Sequence, residues 1–212
     1  MKLSFAGLVV LLAFIAGCSA QGKMLTTIGR NQYEFPNHRV DRSSHRGDGR
    51  SDSYGPTVLS WNRKEVSIAI PKFVHDAGGV TYGFHVQVYP DFDGNSAPKL
   101  DSYLLRGDFA GGLVEFDPDT RFYRVRRRID RDRWDLLSVP PNPSDVTVQS
   151  VNHLWIADCT EPFGFTHVIC QMEVQYRDSN LSVNILGENL FLRHEIVTFI
   201  RRELDSAYRK SQ

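Results

Sequence analysis

The sequence predicts an α+β fold: a mainly antiparallel β-sheet closed by one C-terminal amphipathic helix. Two periodicities carry that prediction. Phe84, Val86 and Val88 alternate with polar neighbours, and Val168, Cys170, Met172, Val174 and Tyr176 recur at every second position, with polar residues between them from Cys170 on. Period two with one apolar face marks a half-buried strand. From about Leu190 to Lys210 the period changes. Ile196, Val197, Ile200, Leu204 and Tyr208 recur at helical spacing, with Arg201, Arg202, Asp205 and Arg209 away from them. A stripe of that kind packs on a sheet.

The other elements follow in chain order. Val66, Ile68 and Ile70 alternate and are assigned to a strand. Gly78-Gly79 and Gly111-Gly112 read as turns, and Pro90 with Gly94 suits a hairpin turn. Asp117-Pro-Asp-Thr120 separates the strand Leu113–Phe116 from the strand Arg121–Val125. Further strands are expected over Thr147–Asp158 and Leu181–Leu186. Pro140, Pro141 and Pro143 mark a loop between two halves of one domain, because Thr57–Gln212 has the length of a single domain with room for a core.

The first residues have a different character. Lys2 is followed by the apolar run Ala6–Ala16 and the small residues Gly17, Ser19 and Ala20. A positive start, a short apolar stretch and small residues at its end make a secretory signal peptide. The run loosens at Gly17-Cys18-Ser19-Ala20, where a membrane span of roughly 20 residues would stay apolar. Two cleavage points compete. Small residues at Cys18 and Ala20 suit an ordinary cut before Gln21. Ile15-Ala16-Gly17-Cys18 instead resembles the lipobox of bacterial lipoproteins, with Ile15 in place of the more usual Leu.

That resemblance implies lipidation of Cys18 by diacylglyceryl and fatty acyl (palmitate-type) chains, and cleavage just before it. With Ser19 rather than Asp next, it implies a protein held at the outer membrane and facing the periplasm. The expected organisation is then a signal peptide at 1–17, a lipidated N-terminus and flexible tether at 18–56, and a periplasmic α+β domain at 57–212. Arg39–Gly55 has only Val40 and Tyr54 as apolar residues, too few to offset the entropy of ordering. Tyr33-Glu-Phe-Pro36 is a short aromatic island that docks on the domain or on a partner. As a coil the tether would span on the order of 35 Å.

Lipidation of Cys18 leaves Cys159 and Cys170, an even number in a compartment where disulfides form. They flank a loop carrying Pro162 and Gly164, so they either meet across a hairpin or stay as two buried thiols. Basic and acidic residues balance at 25 each, which excludes a global field directed at nucleic acid. The local exception is an arginine run whose candidate interaction patch is Arg124, Arg126, Arg127, Arg128, Arg131 and Arg133. Guanidinium forks suit phosphates and carboxylates; the competing reading is a solvated strand face neutralised by nearby aspartates.

No catalytic residue, metal ligand or cofactor is assigned. His194-Glu-Ile-Val-Thr198 lacks the second histidine of a zinc helix, and Asp91-Phe-Asp-Gly-Asn95 has its glycine two positions early for a calcium loop. Anchor, tether and compact domain favour a binding protein that engages an envelope protein partner. The layout resembles immunity lipoproteins, which block toxins delivered into the periplasm. Two alternatives stand beside it. One is an envelope hydrolase acting on peptidoglycan or lipid through Asp91, Asp93, Asp117 or Asp119. The other is a structural lipoprotein holding the cell wall through the arginine run.

Overall fold

The computed structural model describes residues 22–28, 30–41, 57–89, 113–118, 120–126, 132–138, 155–161 and 167–209. The lipobox, the greater part of the expected tether, Arg127, Arg128, Arg131, Asp91, Asp93, Asp119, Gly111-Gly112 and residues 147–154 lie outside them.

The principal sheet is antiparallel throughout. Its spine is the hairpin of β12 (Ile169–Tyr176) and β13 (Ser179–Leu186), which pair along their whole length. On one side follow β7 (Phe84–Tyr89), β4 (Thr57–Trp61) and β3 (Val40–Asp41). On the other side follow β11 (Trp155–Thr160), β10 (Arg133–Leu137), β9 (Phe122–Arg126) and β8 (Leu113–Asp117). The nine strands thus run β3-β4-β7-β13-β12-β11-β10-β9-β8. Register places Leu59, Val86, Val183 and Met172 in one lateral row, each essentially without solvent contact. The expected antiparallel sheet and its closing helix are both present. The alternations at Phe84–Val88 and Cys170–Tyr176 face the core as read, and Leu181–Leu186 is a strand.

The helix α2 (Arg193–Ala207) follows a 3-10 stretch, Gly187–Leu192. Its buried residues Ile196, Phe199, Ile200 and Leu204 join the strands in one core. Trp61, Phe84 and Phe199 meet edge to face with centroids 5.7–5.8 Å apart. Such aromatic pairs add roughly 1 kcal/mol each beyond burial.

Residues 63–69 correct the sequence reading. They form the helix α1 (Arg63–Ala69), not a strand. Val66 and Ile70 stand four apart and are buried, whereas Ile68 is 71% exposed. A strand would put all three on one face, whereas a helix groups Val66 with Ile70 and turns Ile68 outward, and a capping box at Asn62 starts the helix. The Asn62 side chain accepts from the Glu65 amide at 3.0 Å, and the Glu65 carboxylate accepts from the Asn62 amide at 3.0 Å.

The expected tether is the second correction. Lys23–Ile28 (β1) and Asn31–Pro36 (β2) form a hairpin, completed into a three-stranded sheet by Tyr208–Arg209 (β14) beyond α2. Ile28, Tyr33 and Phe35 belong to the main core. Tyr33 is ringed by Phe35, Tyr176 and Tyr208. The hairpin turn is tied to the β12–β13 turn, where Asp178 accepts from the Arg30 amide and the Asn31 side chain. Arg39, at the start of the run read as disordered, is buried. It donates to Glu65 through both terminal nitrogens and to the Ser60 carbonyl, and lies 4.8 Å over the Trp61 ring. Composition counted Arg39 as a solvated charge, but a paired guanidinium can be buried.

Two polar anchors also fix the loops. Asn189, fully buried, accepts from the Val74 amide and donates to the Val74 carbonyl, as a facing strand would. Gly78 and Gly79 both take positive φ and turn β5 (Asp76–Ala77) into β6 (Val80–Thr81), the turn read from the sequence.

Two outcomes are expected. Tyr33→Ala should lower unfolding free energy by about 3 kcal/mol or more, measured by urea denaturation, because it empties a core site. A free tether would give no change. Second, stability should fall with acid in two stages. Burial, with Arg63 nearby, holds His75 below its ordinary value of 6.5, so the folded state resists its protonation and stability declines as pH drops below that value. The Arg39 hydrogen bond holds Glu65 below 4.5 despite partial burial, so its contribution is present above that value and lost as pH falls through the folded pKa. In thermal melts across this range, Glu65→Gln should flatten the lower stage and leave the upper one.

Candidate functional site

The disulfide joins Cys159 and Cys170, which face each other in register on β11 and β12 with Cα atoms 4.0 Å apart. It forms part of the lining of a pocket of about 220 Å³. The sheet supplies Arg124 from β9 with Trp134 and Leu136 from β10. The 3-10 stretch before α2 supplies Glu188, Leu190 and Phe191 as the opposite wall. Gly187 is the close approach between the two: a Cβ there would meet that of Val168 at 3.2 Å.

The pocket lining pairs Asp117 with Arg124 and leaves Glu188 exposed. Asp117, 4% exposed, accepts from Arg124 Nε at 3.0 Å, from Arg124 Nη2 at 2.8 Å and from Thr120 Oγ1 at 2.9 Å. The Arg124 and Arg126 guanidinium groups lie 5.2 and 5.9 Å from the centre of the Trp134 ring. His167, also buried, is hydrogen-bonded through Nε2 to the Tyr82 hydroxyl. An apolar floor beside the paired Asp117 and Arg124 suits an uncharged or aromatic group. Its volume exceeds the ~150 Å³ that holds a benzene ring in an engineered cavity.

The rim is open. Phe191 is 61% exposed. The β8–β9 turn, whose Asp117 and Thr120 line the pocket, carries Arg121 at φ 60°, held by its amide donating to the Asp117 carbonyl at 2.8 Å. A non-glycine residue there costs ~1 kcal/mol. On the far side of the same hairpin Phe116 is 56% exposed and meets Tyr123.

The structure divides the arginine patch. Arg124 lines the pocket and Arg126 stands on the same sheet face, whereas Arg133, with β-sheet alternation, faces the opposite side. Arg133 donates to both carboxylate oxygens of Asp158, and Arg126 lies 3.9 Å from Glu115. The described arginines therefore serve local acids and do not form one continuous positive field. Asp117, weighed as a loop-tip acid, is buried against Arg124. His194 lies exposed at the start of α2, and no group of three or more metal-binding side chains occurs among the described residues. No described helix is long and apolar enough to cross a membrane.

Sequence reasoning missed the pocket walls, Tyr82 and Asn189. Compared with known protein families, curated proteins and solved structures, the chain matches none.

Arg124→Met should destabilise the domain by about 3 kcal/mol in urea unfolding, because it strips the cation from a buried carboxylate. Adding Asp117→Asn to that variant should recover part of the loss. Replacing both cysteines by alanine should cost about 3 kcal/mol in the same assay.

Proposed function

We propose that this chain is a lipid-anchored envelope binding protein that engages a protein partner through the pocket and its rim, in the manner of an immunity-type inhibitor. The observation that carries the reading is the combination at one end of the sheet. A preformed pocket of about 220 Å³ lies beside an exposed Phe191 and an arginine held at positive φ. An exposed aromatic beside a pocket that a partner's side chain can fill is the composition of an interface hot spot. A conformation that costs stability points to a role beyond stability.

The hydrolase alternative needs two carboxylates, or a serine and a histidine, that converge in a cleft, and the hydrogen-bonded pairs Ser60–His85 and Ser67–His75 stand outside the pocket lining. Asp117, the one of its four candidates among the described residues, is instead engaged by Arg124. The wall-binding alternative needs free guanidinium groups, and those of Arg124 and Arg133 are committed to Asp117 and Asp158.

The test is crosslinking capture from intact cells, with partners identified by mass spectrometry and a Cys18→Ser control for the anchor. Phe191→Ala should weaken binding of the captured partner at least tenfold, a hot-spot loss of about 1.4 kcal/mol or more, with little change in melting temperature. Arg121→Gly should raise stability by up to about 1 kcal/mol by relieving the positive φ and still lower partner affinity. Capture unaltered by both changes would reject the pocket rim as the contact.

A further inference from the structure

The hairpin β1–β2 changes what an anchor at Cys18 would do. With no tether between them, Cys18 and Lys23 are five residues apart, and a fully extended chain covers at most about 18 Å over that length. Lys23 begins a strand whose partner is buried in the core, so the body of the domain starts there. The same end of the hairpin is pinned to one edge of the main sheet. The Asn37 amide donates to the Gly22 carbonyl, Arg39 binds Glu65, and Val40 pairs with Leu59.

The surface at that edge has the chemistry of a headgroup contact. Lys64 and Ile68 stand four apart on the outer face of α1, opposite the buried Val66 and Ile70, and Ile68 is 71% exposed. Lys72 follows at the end of the helix, exposed, and His38 and the 67%-exposed Lys23 lie at the open end of the hairpin. Three acids near this face are engaged: Glu65 with Arg39, Glu34 with Lys23 and Arg209, Asp76 with Arg63 and Thr81. Lys64 and Lys72 make no ion pair among the described residues. Lysines without an ion pair among the described residues, beside an exposed isoleucine, favour a surface of anionic headgroups over an apolar core.

From this we infer that the domain rides directly on the bilayer, with α1, Lys72 and the open end of the β1–β2 hairpin against anionic phospholipid headgroups. The inference rests on the reading of Cys18 as the lipidated residue. It also orients the pocket. β4 and β10 are five inter-strand spacings apart in the sheet, roughly 24 Å, so the pocket is carried away from the membrane edge toward the periplasm.

The experiment uses the full acylated chain in vesicles of phosphatidylethanolamine and phosphatidylglycerol containing a lipid with a nitroxide headgroup. With Cys18 acylated and Cys159–Cys170 closed, Ile68→Cys or Arg121→Cys provides one free thiol for a fluorophore. Quenching at position 68 should exceed that at 121 about threefold, given the ~18 Å limit on the anchor. Adding Lys64→Glu and Lys72→Glu should bring the two closer together. Equal quenching at 68 and 121 in acylated, vesicle-bound protein would overturn the inference and leave the anchor standing. Unchanged quenching after the lysine replacements would overturn the headgroup contact. An unacylated intact mass with the protein soluble would instead overturn the Cys18 reading, and the inference with it.

Discussion

Ile196, Ile200 and Leu204 on α2 are fully buried against the row of side chains that crosses β4, β7, β13 and β12. That contact is the constraint on which the rest of the molecule depends. A sheet with one apolar face must have it covered, and a nine-stranded sheet is some 38 Å across at ~4.8 Å per strand. One fifteen-residue helix is about 22 Å long and 10 Å wide. It cannot cover the whole face. The shortfall is met in two ways, and both bear on function.

On one side the chain brings in its own N-terminal hairpin. Ile28, Tyr33 and Phe35 extend the core, and β14 ties the hairpin to the end of α2. The turn between β12 and β13 is recruited as well. Arg177 takes φ 53°, and its guanidinium stacks 3.9 Å over Tyr208 while bonding the Tyr176 hydroxyl and Asp205. An arginine in that conformation is retained because its side chain joins three separate elements. On the other side, over β9 and β10, the face is left partly open. The 3-10 stretch before α2 reaches across it at Gly187 and leaves the pocket with the disulfide in its lining.

These two ends divide the tasks of the domain. The hairpin end is rich in internal bonds and leads back toward Cys18. The pocket end pairs Asp117 with Arg124 and Asp158 with Arg133, and offers rings outward, at Phe191 on one face and Phe116 on the other. Ionic partners chosen inside the domain leave an interface that depends on shape and apolar contact more than on long-range attraction.

The sequence by itself determined the elements whose pattern is local. The alternations of β7, β12 and β13, the helical stripe of α2 and the turns at Gly78-Gly79 and Asp117–Thr120 all follow from spacing along a few residues. For Cys159 and Cys170 the spacing left a disulfide and two separate thiols both open, and the register of β11 and β12 selected the disulfide. More was present than was read. Asn62-Arg-Lys-Glu65 is a capping-box signature that marks α1 as a helix, and Gly29-Arg30 between two alternating runs marks the β1–β2 hairpin. Tertiary structure alone decided the burial of Arg39, the Asn189 clamp on Val74, the split of the arginines between two faces and the pocket. Each joins residues far apart in the chain, and a charge or amide is stable inside only when a distant partner satisfies it. Composition registers the polar residue. It does not register the partner.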